Sequence, residues 1–231
     1  MVMSGQEVIT ALRRKAAAAS APTYVTSANA FGFSTPTGNA SFSALTGDIV
    51  DYWIGCGANG CVFTLTLGTC AATGGNVIDA GPTNQGFVVG TAQKGHYTLT
   101  TGGSCTLSAA WTGGSSGPLI VVVVRGSSGL DLASTINTQN GAGTGANAVT
   151  SGSITSAHTD LCVGSSFDAN QGAGTLVAGT TIAWTLPAGA KDTHYPSASE
   201  YFAQSGAGGI AATFTYGVNP YTESAISCYK P

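Results

Sequence analysis

The segment Pro118-Leu119-Ile120-Val121-Val122-Val123-Val124-Arg125-Gly126 holds six consecutive apolar residues between a proline and a glycine. A short unbroken apolar run bounded by turn formers predicts a central strand covered on both faces. The runs to either side read differently. Cys61, Phe63, Leu65 and Leu67 alternate with Val62, Thr64 and Thr66, and Cys105, Leu107, Ala109 and Trp111 alternate with Thr106, Ser108 and Ala110. Ile210, Ala212, Phe214 and Tyr216 repeat the pattern near the end of the chain. A period of two marks half-buried strands of antiparallel sheets. Gly57-Ala58-Asn59-Gly60, Gly113 to Gly117, Ser127-Ser128-Gly129 and Gly141 to Gly145 separate the runs with turn chemistry. The expected fold is all-β, an antiparallel two-sheet sandwich of jelly-roll type.

Only 7% of the 231 residues are charged, against 34 glycines. Soluble domains usually carry about a quarter charged residues. A chain that replaces charge with Ser, Thr, Asn and Gly suits a crowded, ordered assembly or an extracellular surface. The apolar fraction of 43% is enough for a sizeable core, so the glycine content does not signal disorder. No charge run or proline cluster divides residues 23–231, which read as one sandwich domain. With net charge -3 and seven scattered basic residues, the chain lacks the electrostatic footprint of a nucleic-acid binder. No apolar run reaches membrane-spanning length.

Residues 1–22 stand apart as an N-terminal anchor that reads as helical. Ser4 and Glu7 form a capping box, Val8, Ile9 and Leu12 make a narrow apolar stripe, and Arg13, Arg14 and Lys15 follow where the helix dipole favours cations. Pro22 ends the pattern. The four alanines Ala16 to Ala19 are too weakly apolar for the core of a secretory signal, so none is expected. One helix with three large apolar residues is marginal alone, so Val8, Ile9 and Leu12 are expected to dock on a partner or on symmetry copies.

The order of four segments carries a resemblance. Thr46-Gly47-Asp48-Ile49-Val50, then Pro118 to Gly126, then Asp160-Leu161-Cys162-Val163-Gly164, and a closing strand through Cys228-Tyr229-Lys230 resemble the β-sandwich domains of tailed-bacteriophage virion proteins, such as capsid decoration or head-fibre subunits. The resemblance spans about residues 40 to 231. After Leu67 the chain has Gly74-Gly75-Asn76-Val77-Ile78-Asp79 in place of the family's "D-x-x-G-N-x-Y" turn. The resemblance implies a structural virion role, with a homotrimer attached to a major capsid or other virion protein. Synthesis would be in the host cytoplasm and location in the virion.

Residues able to carry chemistry are few. Cys56 and Cys61 bracket Gly57 to Gly60; if the flanking strands form a hairpin, their separation is compatible with a disulfide. Free thiols acting as small apolar side chains are the alternative, and Cys105 and Cys228 read that way. No C-x-x-C suggests zinc, and no metal or cofactor is expected. Asp192, His194 and Glu200, with Ser197 and Ser199 nearby, can be imagined as a hydrolytic group, but nothing supplies an oxyanion donor and a polar loop rim explains them more simply. His96 and His158 read as surface or turn residues. Asp48 and Asp51 lie an odd number of residues apart on a strand, so their side chains leave by opposite faces. The glycine runs at 141–145 and 172–174 lack the lysine and helix of a phosphate loop.

These readings lead to a non-enzymatic structural virion protein. The alternative is a carbohydrate-binding or adhesin module with Trp184, Tyr195, Tyr201 and Tyr221 as exposed aromatic candidates.

Overall fold

A computed structural model describes residues 20–32, 37–84, 90–114, 116–140, 148–169, 177–178, 184–192, 194–217 and 221–231. The helix expected at the N-terminus, with Val8, Ile9 and Leu12, lies outside the described residues. In chain order the strands are β1 (Thr23–Gly32), β2 (Thr37–Ala44), β3 (Ile49–Cys56), β4 (Val62–Gly68), β5 (Ala71–Asn84), β6 (Thr91–Thr101), β7 (Gly103–Thr112) and β8 (Gly117–Arg125). They continue with β9 (Gly129–Ala133), β10 (Asn137–Asn140), β11 (Ala148–Thr150), β12 (Ile154–Ser156), β13 (Leu161–Asp168) and β14 (Val177–Ala178). The last are β15 (Lys191–Asp192), β16 (Ser197–Ala203), β17 (Gly208–Ile210), β18 (Thr213–Thr215) and β19 (Tyr221–Lys230). Every pairing between these strands is antiparallel.

The valine-rich run becomes β8, an interior strand of a five-stranded sheet ordered β1-β8-β3-β6-β5. Its two faces fill two different cores. Leu119, Val121 and Val123 pack with Val50, Tyr52 and Ile54 against Phe42, Leu107, Ala109 and Trp111 of the sheet β2-β7-β4. Ile120, Val122 and Val124 pack with Ile49 and Trp53 against Leu161, Val163, Phe167 and Tyr229 of the sheet β10-β19-β13-β16-β15, to which β9 adds through β19. Burying a large aliphatic side chain contributes about 1.5–3 kcal/mol relative to leaving it in water. Strands β3 and β8 therefore hold the two cores together.

A third apolar layer lies on the far face of the larger sheet. There Cys162, Ala198, Ile226 and Cys228 meet Val149, Ile210, Ala212, Phe214 and Tyr216. These last residues come from, or lie beside, the ribbons β11-β18-β14 and β12-β17. The all-β antiparallel character agrees with the sequence, but the described strands form five sheets in place of the two expected. The physical reason lies in β13 and β19. Both are buried along nearly their whole length although rich in serine, so the larger sheet also needs a cover on each face. Gly164 permits one close approach, because a Cβ there would collide with Ala212 of the outer layer.

All six cysteines are bridged, as Cys56–Cys61, Cys70–Cys105 and Cys162–Cys228. Cys105 and Cys228 are thus half-cystines, correcting their reading as free thiols. The strands flanking Cys56 and Cys61 do not form a hairpin, since β3 pairs with β6 and β8 while β4 pairs with β7. The turn between them carries the chain from one sheet to the next, and the bridge, with its Cα atoms 6.5 Å apart, closes that crossing. The segment after Leu67 forms β5, an edge strand with four register shifts against β6. Bulges of this kind keep an edge from pairing with other chains.

Candidate functional site

The three polar residues expected on one loop rim are separated by the sheet itself. Asp192 pairs with Ser197, so it shares a face with Ser197 and Ser199, whereas Glu200 leaves by the opposite face. Asp192 accepts the His194 backbone N–H at 2.8 Å, with the imidazole Nδ1 3.5 Å from the same oxygen. Burial pushes the Asp192 carboxyl up, opposed by its hydrogen bonds with His194. Glu200 is fully buried and accepts the Thr213 N–H at 3.2 Å. Neither acid is the rim residue the sequence suggested, because neighbouring layers cover both.

The aromatic candidates divide similarly. Trp184 and Tyr195 are buried, Tyr195 against Phe167 and Phe31. Tyr201 is half-buried and stacks on Tyr24 with ring centroids 4.4 Å apart, and Tyr221 is half-buried.

A continuous polar cluster lies between the five-stranded sheet and the larger one. Lys94 on β6 reaches Asp51 Oδ1 on β3 at 2.7 Å and donates to Ser165 Oγ on β13 at 3.0 Å. Both charged side chains are 0% exposed. Ser165 in turn meets Ser199 Oγ at 2.8 Å, and the Tyr229 hydroxyl donates to Asp51 Oδ2 at 2.7 Å. Beside them Asp79 takes His96 Nδ1 at 2.8 Å and the Ser227 hydroxyl at 3.1 Å. His96 is therefore an interior residue, held by a carboxylate that the edge strand delivers, and the surface reading is corrected. Desolvation pushes the Asp51 carboxyl up to about 6 against the pull of Lys94. Every charged oxygen and the ammonium have partners, so the cluster links two sheets through fixed geometry. The sequence held a faint signal for it. Asp51 shares strand parity with Ile49 and Trp53, and Lys94 with Ala92 and His96, so each charge sits where an inward side chain belongs.

The segments around Asp48 and Arg125 meet at one end of the five-stranded sheet. Arg125 Nε and Nη2 donate to Asp48 Oδ1 and Oδ2 at 2.9 and 2.8 Å, and the Leu45 N–H also reaches Oδ2 at 2.8 Å. The bidentate fork fixes the start of β3 against the end of β8.

A third polar group is formed by Asp131 on β9 with His158 and Asp160 in the loop entering β13. One donor atom from each residue lies within 4.8 Å of the others. His158 Nδ1 is 3.1 Å from Asp131 Oδ2, and Ser156 donates to Asp160 Oδ2 at 2.7 Å. Burial raises Asp131, but side-chain hydrogen bonds with His158 and Asp160, with the charges of His158 and Lys230, together outweigh it and hold the carboxyl below its ordinary value. Asp160 is pushed the other way, by burial first and then by the Asp131 charge. His158 fits the turn expected of it, being half-exposed beside β12. Its convergence with Asp131, 27 residues earlier, follows from the sheet order, since β9 and β13 both flank β19.

Among the described residues no helix is long and apolar enough to cross a membrane. No protein-family model, curated protein or solved structure matches this chain.

Proposed function

We propose that the chain is a structural, non-enzymatic subunit of a tailed-bacteriophage virion, of capsid decoration or head-fibre type. Its jelly-roll-like sandwich is displayed outward as a homotrimer, and Val8, Ile9 and Leu12 attach it to a major capsid or other virion protein. The observation that carries this reading is where the few charges go. Of the ten acidic residues, Asp48, Asp51, Asp160, Asp168, Asp192, Glu200 and Glu223 are buried. Lys94 is buried with them. Few acids are left for the outer surface, which suits subunits packed at high local density without mutual charge repulsion. Three disulfides suit function in an oxidising medium after release from the cell.

Burial of Trp184 and Tyr195 favours this reading over the carbohydrate-binding alternative, because neither ring is available as a sugar platform. The test is recovery of the protein in purified particles at a fixed copy number, compared with a chain lacking residues 1–22. The full chain is expected in particles and the shortened chain is expected folded but absent from them. Failure of the full chain to enter particles, or normal incorporation of the shortened one, overturns the proposal.

A further inference from the structure

We propose that Asp131, His158 and Asp160 bind a divalent transition-metal ion, zinc foremost, which ties β9 to the loop entering β13. The three side chains offer one imidazole nitrogen and two carboxylates within 4.8 Å of one another. Two donors bound to one ion at about 2.0–2.2 Å, with tetrahedral to octahedral angles, stand roughly 3–3.6 Å apart. The 3.1 Å between His158 Nδ1 and Asp131 Oδ2 falls in that range.

The independent indication is Asp160 itself. It is 1% exposed, its Oδ2 is occupied by the Ser156 hydroxyl, and no hydrogen-bond donor among the described residues reaches its Oδ1. A buried carboxylate oxygen without a donor, beside a second carboxylate, is costly unless a cation or a proton compensates it. Asp160 also pairs side chain to side chain with Asp131, and two carboxyls that close need either a shared proton or a cation between them, so absence of zinc binding assigns the proton. Ser156 also orients the ligands, because its Oγ accepts the His158 N–H at 3.0 Å while its hydroxyl holds Asp160. His158 is 47% exposed, so the group has an open side through which an ion can enter and water can complete its shell. The donor set selects the metal class. Calcium asks for about six to eight oxygens, whereas an imidazole with two carboxylates suits zinc or manganese.

The test uses the full chain, dialysed against chelator and titrated calorimetrically with zinc chloride alone and, separately, with calcium chloride. Zinc is expected to bind once per chain and to raise the unfolding temperature. H158A and D160N are each expected to weaken zinc binding by more than about tenfold. H158A removes a half-exposed ring and should fold normally without metal, so it keeps the test meaningful if D160N fails to fold. Absence of saturable zinc binding, or unchanged affinity in H158A, overturns the proposal. Calcium affinity equal to that for zinc overturns the assignment to a transition metal.

Discussion

Glu223 leaves β19 by the face that meets the five-stranded sheet, opposite Phe167, and neither of its carboxyl oxygens has a hydrogen-bond partner among the described residues. Burial pushes its carboxyl from 4.5 up to about 8. Between those values the folded chain keeps a proton that the unfolded chain releases, so this contribution to stability is complete below about 4.5 and is lost as pH rises through about 8. The slope cannot exceed about 1.4 kcal/mol per pH unit for one group. E223Q keeps the shape and removes the titration. Denaturant midpoints at about pH 5, 7 and 9 should fall with pH in the parent and fall less in E223Q. Equal slopes would mean that Glu223 is ionised and solvated in the folded state. Lys94 tests the other kind of burial. K94M leaves Asp51 without its counter-charge and should cost about 3–5 kcal/mol, while D51L/K94M should recover much of that loss. A double variant as unstable as the sum of the single ones would show that the two residues act independently.

At the scale of elements, β13 and β19 carry the most demanding packing, since each serves two cores at once. The Cys162–Cys228 bridge joins them directly across a register pair, with Cα atoms 4.0 Å apart at a sequence separation of 66. Constraining a loop of that length in the unfolded state contributes about 2–4 kcal/mol. C162A/C228A should lower stability by that amount, and thermal unfolding with and without reductant measures it. A loss no larger than that of a single surface substitution would mean that strand pairing alone fixes this sheet. By contrast β5 adds register shifts at the edge and little aliphatic packing, with Val77 and Ile78 exposed. Its structural contribution is Asp79, delivered to His96 and Ser227.

For the whole molecule, the inward placement of acids predicts how assembly responds to salt. A homotrimer of such chains has few surface charges to screen, so its dissociation should change little between about 0.05 and 1 M sodium chloride. Sedimentation equilibrium across that range is the measurement. A chain that remains monomeric at high concentration, or a trimer that falls apart steeply as salt rises, would remove the trimer from the proposed function. The stacked sheets also make the molecule thicker than a two-sheet sandwich, with β3 and β8 at its centre.

Local pattern was enough to identify β8 as a doubly covered strand and β7 as a half-buried one, because apolar period depends only on neighbouring residues. The inward set Ile210, Ala212, Phe214 and Tyr216 was legible for the same reason, although the chain breaks there into β17 and β18. The serine-rich strands β13 and β19 gave no such signal, since a buried serine looks like a solvent-facing one until its partner is known. The same holds for the polar groups. Nothing local to Asp51 announces Lys94, and nothing local to Asp131 announces His158 and Asp160, because sheet order brings them together. Cysteine count suggested bridges at most, whereas the pairing depended on which strands became neighbours. Composition and period thus determined an all-β, charge-poor chain. Only the tertiary structure decided the number of layers, the partners of the buried charges and the convergence of the candidate metal ligands, since each depends on contacts between residues far apart in the chain.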